Sequence, residues 1–200
     1  MTRSGIWKGF SLWQLEQFGI KQNSDGSIWL PYYKRDGTLF RAKHFAPDGC
    51  SWWLGGQGKG QIPYGLEQLE ADGDALVVTE GESDTLALRL AWPNIVAIGI
   101  PGASSWKSEW KRIAEDFERV YLSFDGDSAG DKLGEAVAED LPHAKRLALP
   151  RGADTRAILQ QLGKQAYRAL IDAAEAEHVF NRAVRAKYKV HDLYERRAAA

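Results

Sequence analysis

The hydrophobic pattern has two rhythms along the chain, and the change comes at about residue 70. In the first part, Ser11 and Gln14 stand three residues apart at the start of an apolar run, as in the capping box that begins many helices. Asp36-Gly37 is typical of a hairpin turn, and it lies among three β-rich runs at residues 27–33, 38–45 and 51–54. The first part is therefore predicted to be a small α+β subdomain.

From residue 75 onward, continuous apolar runs alternate with amphipathic ones. The apolar runs predict strands at residues 75–79, 95–100, 120–124 and 144–149. The amphipathic runs predict helices at residues 83–91, 105–117, 129–141, 155–162 and 165–177. Because apolar strands separated by helices are typical of a sheet covered on both faces, we predict an α/β fold with a four-stranded parallel sheet flanked by helices. The basic stretch at residues 178–197 fits a packed helix, a linker or an arm.

These rhythms predict three segments: a small basic subdomain at residues 1–66, an α/β core at residues 67–162 and a C-terminal helical segment or linker at residues 163–200. No apolar run approaches the roughly 20 residues that a membrane helix needs, and the start has no apolar signal region, which predicts a cytoplasmic protein with no membrane partner. Cys50 is the only cysteine, so neither a disulfide nor a cysteine-ligated zinc site is expected within this chain.

Charge is distributed unevenly, although the formal net charge is only −1. Residues 1–64 hold eight Lys/Arg and four Asp/Glu, residues 65–143 hold six and seventeen, and residues 144–200 hold twelve and six, so the balance runs +4, −11 and +6. An acidic middle between basic flanks suits a protein that gathers carboxylates around cations and holds a polyanion with its flanks. A solvated surface of uneven charge would give the same counts.

Two of the predicted strands end in acidic residues. Glu80 follows the strand at residues 75–79, whereas Asp125 and Asp127 follow the strand at residues 120–124. Working groups in parallel sheets gather at the carboxyl ends of strands, so these three carboxylates are predicted to face one another if the two strands are neighbours. Carboxylates that lie so close repel unless a cation neutralises them, and hard oxygen ligands favour Mg²⁺ or Mn²⁺. The sequence thus predicts a divalent metal site.

The acidic runs resemble the TOPRIM domain shared by DnaG-type primases, topoisomerases and certain nucleases. The resemblance rests on Glu-Gly-x-x-Asp at residues 80–84 and on Asp125-x-Asp127 followed by Ala129-Gly130. Pro101-Gly102-Ala103 is similar to the glycine turn after the second strand of primases, and residues 59–66 are similar to the lysine-bearing segment that ends in Tyr-Gly-Leu before their core. The resemblance spans roughly residues 10–160 and implies the RNA polymerase part of a bacterial or phage primase.

The resemblance implies a role for each acid that matches a primase motif. The implied catalytic residues are Glu80, Asp125 and Asp127. Asp125 and Asp127 would be the principal ligands of one to three Mg²⁺ or Mn²⁺ ions, and Glu80 would be the acid/base or a metal-linked carboxylate. Asp84 would be a supporting ligand. Asp154 would be a further one, although Ala153 stands where primases usually carry lysine.

The same resemblance implies a polyanion site and a set of partners. Lys59 would contact template or nucleotide phosphate, and Arg41 and Lys43, which alternate along one strand face, are candidates for the same groove. The implied activity is DNA primase: synthesis of short RNA primers on a single-stranded DNA template from ribonucleoside triphosphates during replication, in a phage or mobile element. A replicative helicase and a zinc-binding template-recognition module are the implied partners, and the chain is either a fragment or obtains those functions from them.

Two other functions fit the same residues. A TOPRIM nuclease would use the same acids to hydrolyse phosphodiesters, but the basic hairpin subdomain favours the primase. A non-catalytic replisome docking module would not need Glu80, Asp125 and Asp127 to be intact. A topoisomerase would need a second domain that presents a nucleophilic tyrosine.

Aromatic residues are concentrated in the first subdomain, which holds five of the eight tryptophans within its first 53 residues. Such rings either build the core of a small β-subdomain or stack on unpaired bases. We predict that Trp13 and Trp29 belong to the core. Trp52 and Trp53 are adjacent on a strand and therefore point to opposite faces, so their roles are left open.

Overall fold

The structure, a computed structural model, describes residues 6–55, 60–70, 73, 75–102 and 104–198, with side chains described as far as residue 180. Within these residues the chain forms an antiparallel sheet followed by a parallel sheet with helices on both faces.

The first sheet follows the predicted capped helix. In α1 (Leu12–Glu16), the Ser11 Oγ accepts a hydrogen bond from the Gln14 amide at 3.3 Å, and the Gln14 side chain accepts one from the Ser11 amide at 2.8 Å. The antiparallel strands lie side by side in chain order as β1 (Lys21–Gln22), β2 (Ile28–Tyr33), β3 (Leu39–Phe45) and β4 (Ser51–Leu54). The three predicted strands are confirmed, whereas β1 is a short polar edge strand that the hydrophobic pattern did not indicate.

The second sheet is the predicted four-stranded parallel sheet. Its strands are β5 (Ala75–Thr79), β6 (Val96–Gly99), β7 (Arg119–Ser123) and β8 (Lys145–Arg146), in the spatial order β6-β5-β7-β8. The helices between and after them are α2 (Glu82–Ala91), α3 (Lys111–Ala114), α4 (Ser128–Asp140), α5 (Thr155–Gln161) and α6 (Gly163–Ala198), with short 3₁₀ helices at Leu66–Glu70 and Ser108–Trp110. The predicted fold class is therefore confirmed.

Alternate residues of the parallel strands face two different cores, which explains why the strands are apolar at every position. One core joins the sheet to α3 and α4 and includes Leu76, Val78, Ile98, Leu122, Trp110, Leu133 and Val137. The opposite core joins it to α2, α5 and α6 and includes Val77, Ala97, Tyr121, Leu88, Ile158 and Tyr167. A strand buried on both faces has no polar side to present to water.

The antiparallel sheet packs on the parallel one through α2 and the segment before β5. Leu86 and Ala87 of α2 lie in the same core as Leu30 and Tyr32 of β2. The Tyr64 amide donates to the Gly99 carbonyl at 2.8 Å, and the Gly99 amide donates to the Tyr64 carbonyl at 2.9 Å. The antiparallel sheet therefore packs on α2, and the backbone of residue 64 is bound to the edge of β6.

Two predicted elements are shorter than their sequence patterns indicated. The helix predicted at residues 105–117 is reduced to the 3₁₀ turn and α3, because the Ser105 hydroxyl bonds the Pro101 carbonyl within a preceding turn and the Trp106 indole reaches Asp140 at 2.7 Å. The strand predicted at residues 144–149 is reduced to β8. Beyond β8 the chain bends toward the turn after β7, where its backbone makes hydrogen bonds outside the sheet.

Helix α6 joins the predicted helix at residues 165–177 and the basic stretch at residues 178–197 into one helix of 36 residues. Neither glycine nor proline occurs after residue 163, so no residue breaks the helix. Tyr167 is fully buried against the sheet, and the Glu175 carboxylate accepts hydrogen bonds from Lys145 at 2.7 Å and from Tyr121 at 2.5 Å. The first half of α6 thus belongs to the core. Across the described residues, no helix is both long and apolar enough to span a membrane.

Trp13 does not belong to the core, contrary to the prediction, because α1 turns it outward and leaves it 71% exposed. Trp29 is half-buried on the outer face of the antiparallel sheet and belongs to none of the apolar cores of the described residues, so its assignment to the core is wrong as well. Replacing Trp13 by alanine should change the free energy of unfolding by less than about 0.5 kcal/mol. Replacing Trp110, which is 6% exposed between α3 and the parallel sheet, should cost about 3–5 kcal/mol. Urea denaturation followed by circular dichroism measures both, and equal losses would contradict the assigned burial.

Candidate active site

Glu80 and Asp125 lie at the switch point of the parallel sheet. Strands β5 and β7 are neighbours, and Thr79 pairs with Ser123 at their carboxyl ends. The connection from β5 leads to β6 on one side, whereas the connection from β6 leads back across β5 to β7 on the other. Parallel sheets bind ligands in the crevice that such a reversal opens. The adjacency of β5 and β7, which was the condition for the predicted site, is therefore met.

Buried threonines fix the turn that carries Glu80. The Thr79 and Thr85 hydroxyls are 2.8 Å apart, and the Thr85 hydroxyl donates to the Gly81 carbonyl at 2.9 Å. Both threonines are fully buried. Because a buried hydroxyl is costly to leave without a partner, this network holds the backbone on both sides of Glu80.

The turn after β7 is bound to Glu80 on one side and to a second loop on the other. The Asp125 amide donates to the Glu80 Oε2 at 3.2 Å. The Gly126 amide donates to the Ala153 carbonyl at 2.9 Å, and the Gly152 amide donates to the Gly126 carbonyl at 2.9 Å. The loop after β8 therefore supports the Asp125 turn through its backbone.

Asp127 and Asp154 each cap the helix that follows them. The Asp127 Oδ1 accepts hydrogen bonds from two backbone amides at the start of α4, both at 2.9 Å. Asp154 accepts the Ala157 amide at the start of α5, and its Oδ2 lies 2.7 Å from the Arg156 guanidinium. A helix N-terminus stabilises a carboxylate, so both acids are held in place without a metal ion.

Asp84 is the most deeply buried of the predicted acids, at 6% exposure on α2. Its Oδ1 accepts the Arg156 amide at 2.9 Å. Burial and, to a smaller extent, the charges of Asp154 and Glu80 raise the pKa of Asp84 to about 7, against the opposing effects of the Arg156 amide and guanidinium. Asp84 thus links α2 to the start of α5 beneath the site.

The five predicted acids share one electrostatic environment. Burial, with smaller contributions from Asp84, Glu80, Asp154 and Asp127 in that order, raises the pKa of Asp125 to about 7. Burial also raises the pKa of Glu80, to which Asp127 contributes. Crowded carboxylates that resist ionisation are what a cation site presents before the cation binds.

The donor set fits a hard divalent cation, although the carboxylates do not yet converge on one point. Within the described residues, no group of three or more His, Cys, Asp or Glu side chains is arranged to hold a metal ion as it stands. The buried Asp125 Oδ1 finds no hydrogen-bond donor among those residues. The candidate ligands are all carboxylate oxygens, and one of them has no hydrogen-bond donor. Carboxylate oxygens suit Mg²⁺ or Mn²⁺ better than a softer ion.

The predicted basic residues have different surroundings. The Arg41 guanidinium lies 3.8 Å from the centroid of the Trp53 ring. The Lys43 ammonium lies 2.8 Å from the Glu82 carboxylate, with side-chain exposures of 16% and 11%. Lys59 lies outside the described residues. Arg41 and Lys43 do share one face of β3, and that face looks toward α2.

Sequence reasoning missed the partners of Glu82. The Tyr32 hydroxyl donates to the Glu82 Oε1 at 2.5 Å, and the same oxygen accepts from Lys43. Glu82 is 8% exposed at the start of α2, two residues after Glu80. Nothing in the sequence links residues 32, 43 and 82, because the contacts cross from the antiparallel sheet to α2 of the α/β core.

A second buried polar network was also missed. The Ser123 and Thr155 hydroxyls are 2.6 Å apart, and the Tyr167 hydroxyl donates to Ser123 at 2.8 Å. These contacts join the end of β7, the start of α5 and helix α6 directly below the acids. Small hydroxyl residues at the end of a strand and at the start of a helix were the available sequence signal.

The buried Lys43–Glu82 pair predicts non-additive mutational effects. Lys43→Met leaves a buried carboxylate without its cation and should cost about 3 kcal/mol of folding free energy. Adding Glu82→Gln should recover much of that loss, because the remaining amide is uncharged. A double-mutant cycle by chemical denaturation measures the coupling. Additive effects of the two changes would mean that the pair does not form in solution.

Comparisons with known proteins agree with this geometry. The family model described as Toprim-like matches residues 77–159. The fold is similar to that of the primase fragment of the bacteriophage T7 primase-helicase protein, with a TM-score of 0.71 and 23% identity over 86% of this chain and 74% of that one. The chain therefore carries a TOPRIM-like domain, and its fold is that of primase catalytic cores. The predicted resemblance is confirmed.

Two curated relatives match parts of the chain. Gene 57 protein of Mycobacterium phage D29 is 32% identical over 91 residues, which cover 46% of this chain and 59% of the phage protein. A DNA primase from Pseudomonas aeruginosa is 35% identical over 124 residues, which cover 56% of this chain and 18% of the primase. The matches span less than two thirds of either relative.

Proposed function

We propose that this protein synthesises short RNA primers on single-stranded DNA, with Mg²⁺ or Mn²⁺ bound by Glu80, Asp125 and Asp127. The observation that carries the proposal is the environment of Asp125. Its carboxyl is half-buried, four neighbouring carboxylates raise its pKa, and its Oδ1 has no donor among the described residues. A bound cation would reduce the repulsion among the carboxylates and would give the Asp125 Oδ1 a partner.

Each acid has a proposed role. Bound ions would activate the attacking 3′-hydroxyl and stabilise the leaving pyrophosphate. Glu80, which lies in the turn that the threonine network fixes, would orient the nucleophile or accept its proton. Asp127 would use its Oδ2, since its Oδ1 caps α4. Asp84 and Asp154 are proposed as supporting ligands that keep the site acidic.

The substrates and partners are proposed from the relatives. Ribonucleoside triphosphates and a single-stranded template would be contacted by Arg41, Lys43 and Lys59. Lys43 would do so only by exchanging the Glu82 carboxylate for a phosphate, because the two side chains are paired. The T7 relative is a primase-helicase, which supports a helicase partner here, and a zinc-binding module would supply template recognition.

The decisive experiment separates a polymerase from a nuclease, which share acids and metal but differ in what attacks the phosphorus. The protein is incubated with single-stranded DNA, Mn²⁺ and ribonucleotides, with and without a starting dinucleotide. We expect template-dependent RNA that is formed more readily from the dinucleotide and is absent with Glu80→Gln. Template degradation without nucleotides, also dependent on Glu80, would establish the nuclease. If the protein neither makes RNA nor degrades the template, the result favours a docking module.

A further inference from the structure

Four residues, one from each strand, lie side by side across the antiparallel sheet. The register pairs Lys21 with Trp29, Trp29 with His44, and His44 with Trp52. Residues directly opposite on antiparallel strands share one face of the sheet. We refer to these four residues as the aromatic row.

The aromatic row lies on the sheet face that points away from the core. Ile28 and Leu30, which flank Trp29 on β2, are buried on the opposite face with α2. Lys43, which precedes His44 on β3, reaches Glu82 through that same inner face. Trp52 remains 46% exposed. The row is therefore separated from the acidic site by the thickness of the sheet.

The rings of the row are already arranged for stacking. The His44 and Trp52 rings are 4.4 Å apart between centroids and 25° from parallel. At the other end of the row, the Lys21 ammonium lies 5.6 Å from the centroid of the Trp29 ring. Flat aromatic surfaces that follow one another beside a cation are the arrangement that binds unpaired bases without sequence preference.

Lys21 contributes a cation to the row, and the two flanking turns each contribute a carboxylate. Residues 1–64 carry a balance of +4. The two acids in the flanking turns are engaged locally: the Asp25 carboxylate accepts hydrogen bonds from the Ser27 hydroxyl and amide, and the Asp48 carboxylate accepts the Cys50 amide. The Ser27 hydrogen bonds lower the pKa of Asp25, and the nearby His44 lowers it further, so Asp25 keeps its negative charge. Attraction of a strand to the row therefore rests on the rings and on Lys21.

We propose that the aromatic row binds unpaired bases of single-stranded DNA, at a surface distinct from the acidic site. The choice of DNA as the strand rests on the proposed function. The row would hold a segment of template that lies outside the catalytic crevice, by stacking on Trp29 and Trp52 and by attraction of phosphate to Lys21.

Binding is measured by fluorescence anisotropy with labelled oligothymidylate in EDTA, using Glu80→Gln as the background so that no catalysis contributes. Leucine at Trp52 or Trp29 keeps an apolar side chain but removes the ring, and each change should weaken binding by about 5-fold to 100-fold. Trp13→Leu is the matched control, since Trp13 is exposed but lies on α1 outside the row, and it should bind like the background. Lys21→Met should reduce the salt dependence by about one charge.

A sugar-phosphate strand without bases separates stacking from charge. The two leucine variants should bind this strand as the background protein does. The row does not stack bases if the leucine variants lose as much affinity for this strand as for oligothymidylate. The same conclusion follows if they bind oligothymidylate as tightly as the background protein does.

Photocrosslinking gives a readout that does not depend on a variant folding. A strand substituted with 5-iododeoxyuridine should crosslink to peptides that contain Trp29 or Trp52. If all crosslinks map to other peptides, the proposal is overturned. If the parent protein makes no primers but binds single-stranded DNA at the row, the proposed function is refuted and the binding proposal stands.

Discussion

Replacing Asp125 by asparagine is expected to lower primer synthesis by at least about 100-fold, as for other preorganised electrostatic groups, and also to stabilise the protein in the absence of metal. The first effect follows from the proposed role of Asp125 as a ligand. The second follows because asparagine removes one negative charge from a crowded group of carboxylates. Opposite signs of the effects on activity and on stability distinguish a functional acid from a structural one.

The pH dependence of stability carries the same information. Burial, followed by the charges of its acidic neighbours, raises the pKa of Asp125 from the ordinary value of 3.8 to about 7. The folded state therefore holds more protons than the unfolded state between about pH 4 and pH 7, and stability falls as the pH rises through that range. In Asp125→Asn the fall should be shallower, with the remainder due to Asp84 and Glu80, whose pKa values burial also raises.

Thermal denaturation in EDTA from pH 4.5 to 8 measures this difference, and titration with Mn²⁺ measures the loss of metal stabilisation. Asp131→Asn is the matched control on α4. The Arg146 hydrogen bond lowers the pKa of Asp131, and Arg151 adds to the effect, so its loss should leave activity unchanged and should not stabilise the protein. Parallel pH curves for the parent and Asp125→Asn would contradict the assigned environment.

Replacing Gly126 by alanine is expected to cost about 3 kcal/mol or more of folding free energy. It should also abolish activity, because the turn that carries Asp125 would lose its conformation. A Cβ atom at Gly126 would lie 2.0 Å from the Pro150 carbonyl oxygen and 2.8 Å from the Pro150 carbonyl carbon. Both are backbone atoms, so neither can rotate away. The loop after β8 would have to withdraw from the Asp125 turn, which it supports through two hydrogen bonds.

Gly152→Ala is the control within the same loop. Gly152 has a positive φ of 76°, but no atom of the described part of the chain lies within 4 Å of a Cβ placed there. Its cost should be about 1 kcal/mol, from backbone conformation alone. Chemical denaturation and Mn²⁺ binding compare the two variants. If Gly126→Ala proves as mild as Gly152→Ala, the two loops are not in close contact in solution.

Much of the fold followed from local sequence. The Ser11 and Gln14 capping box, the Asp36-Gly37 hairpin and the apolar runs that became β5 and β7 each depend on residues close in the chain. The two acidic runs at the ends of those strands were predictable for the same reason, because a strand and the turn after it are set by a few adjacent residues. The TOPRIM resemblance followed from these same runs.

Only the tertiary structure decided which side chains meet. The pairing of Glu82 with Tyr32 and Lys43 depends on the antiparallel sheet docking on α2, and the burial of Asp84 depends on the start of α5. The short β8, the exposed Trp13 and the need for glycine at residue 126 also arise from distant neighbours. Local pattern determines periodicity and turns, whereas contact between remote segments depends on how whole elements pack, and no local window of sequence contains that information.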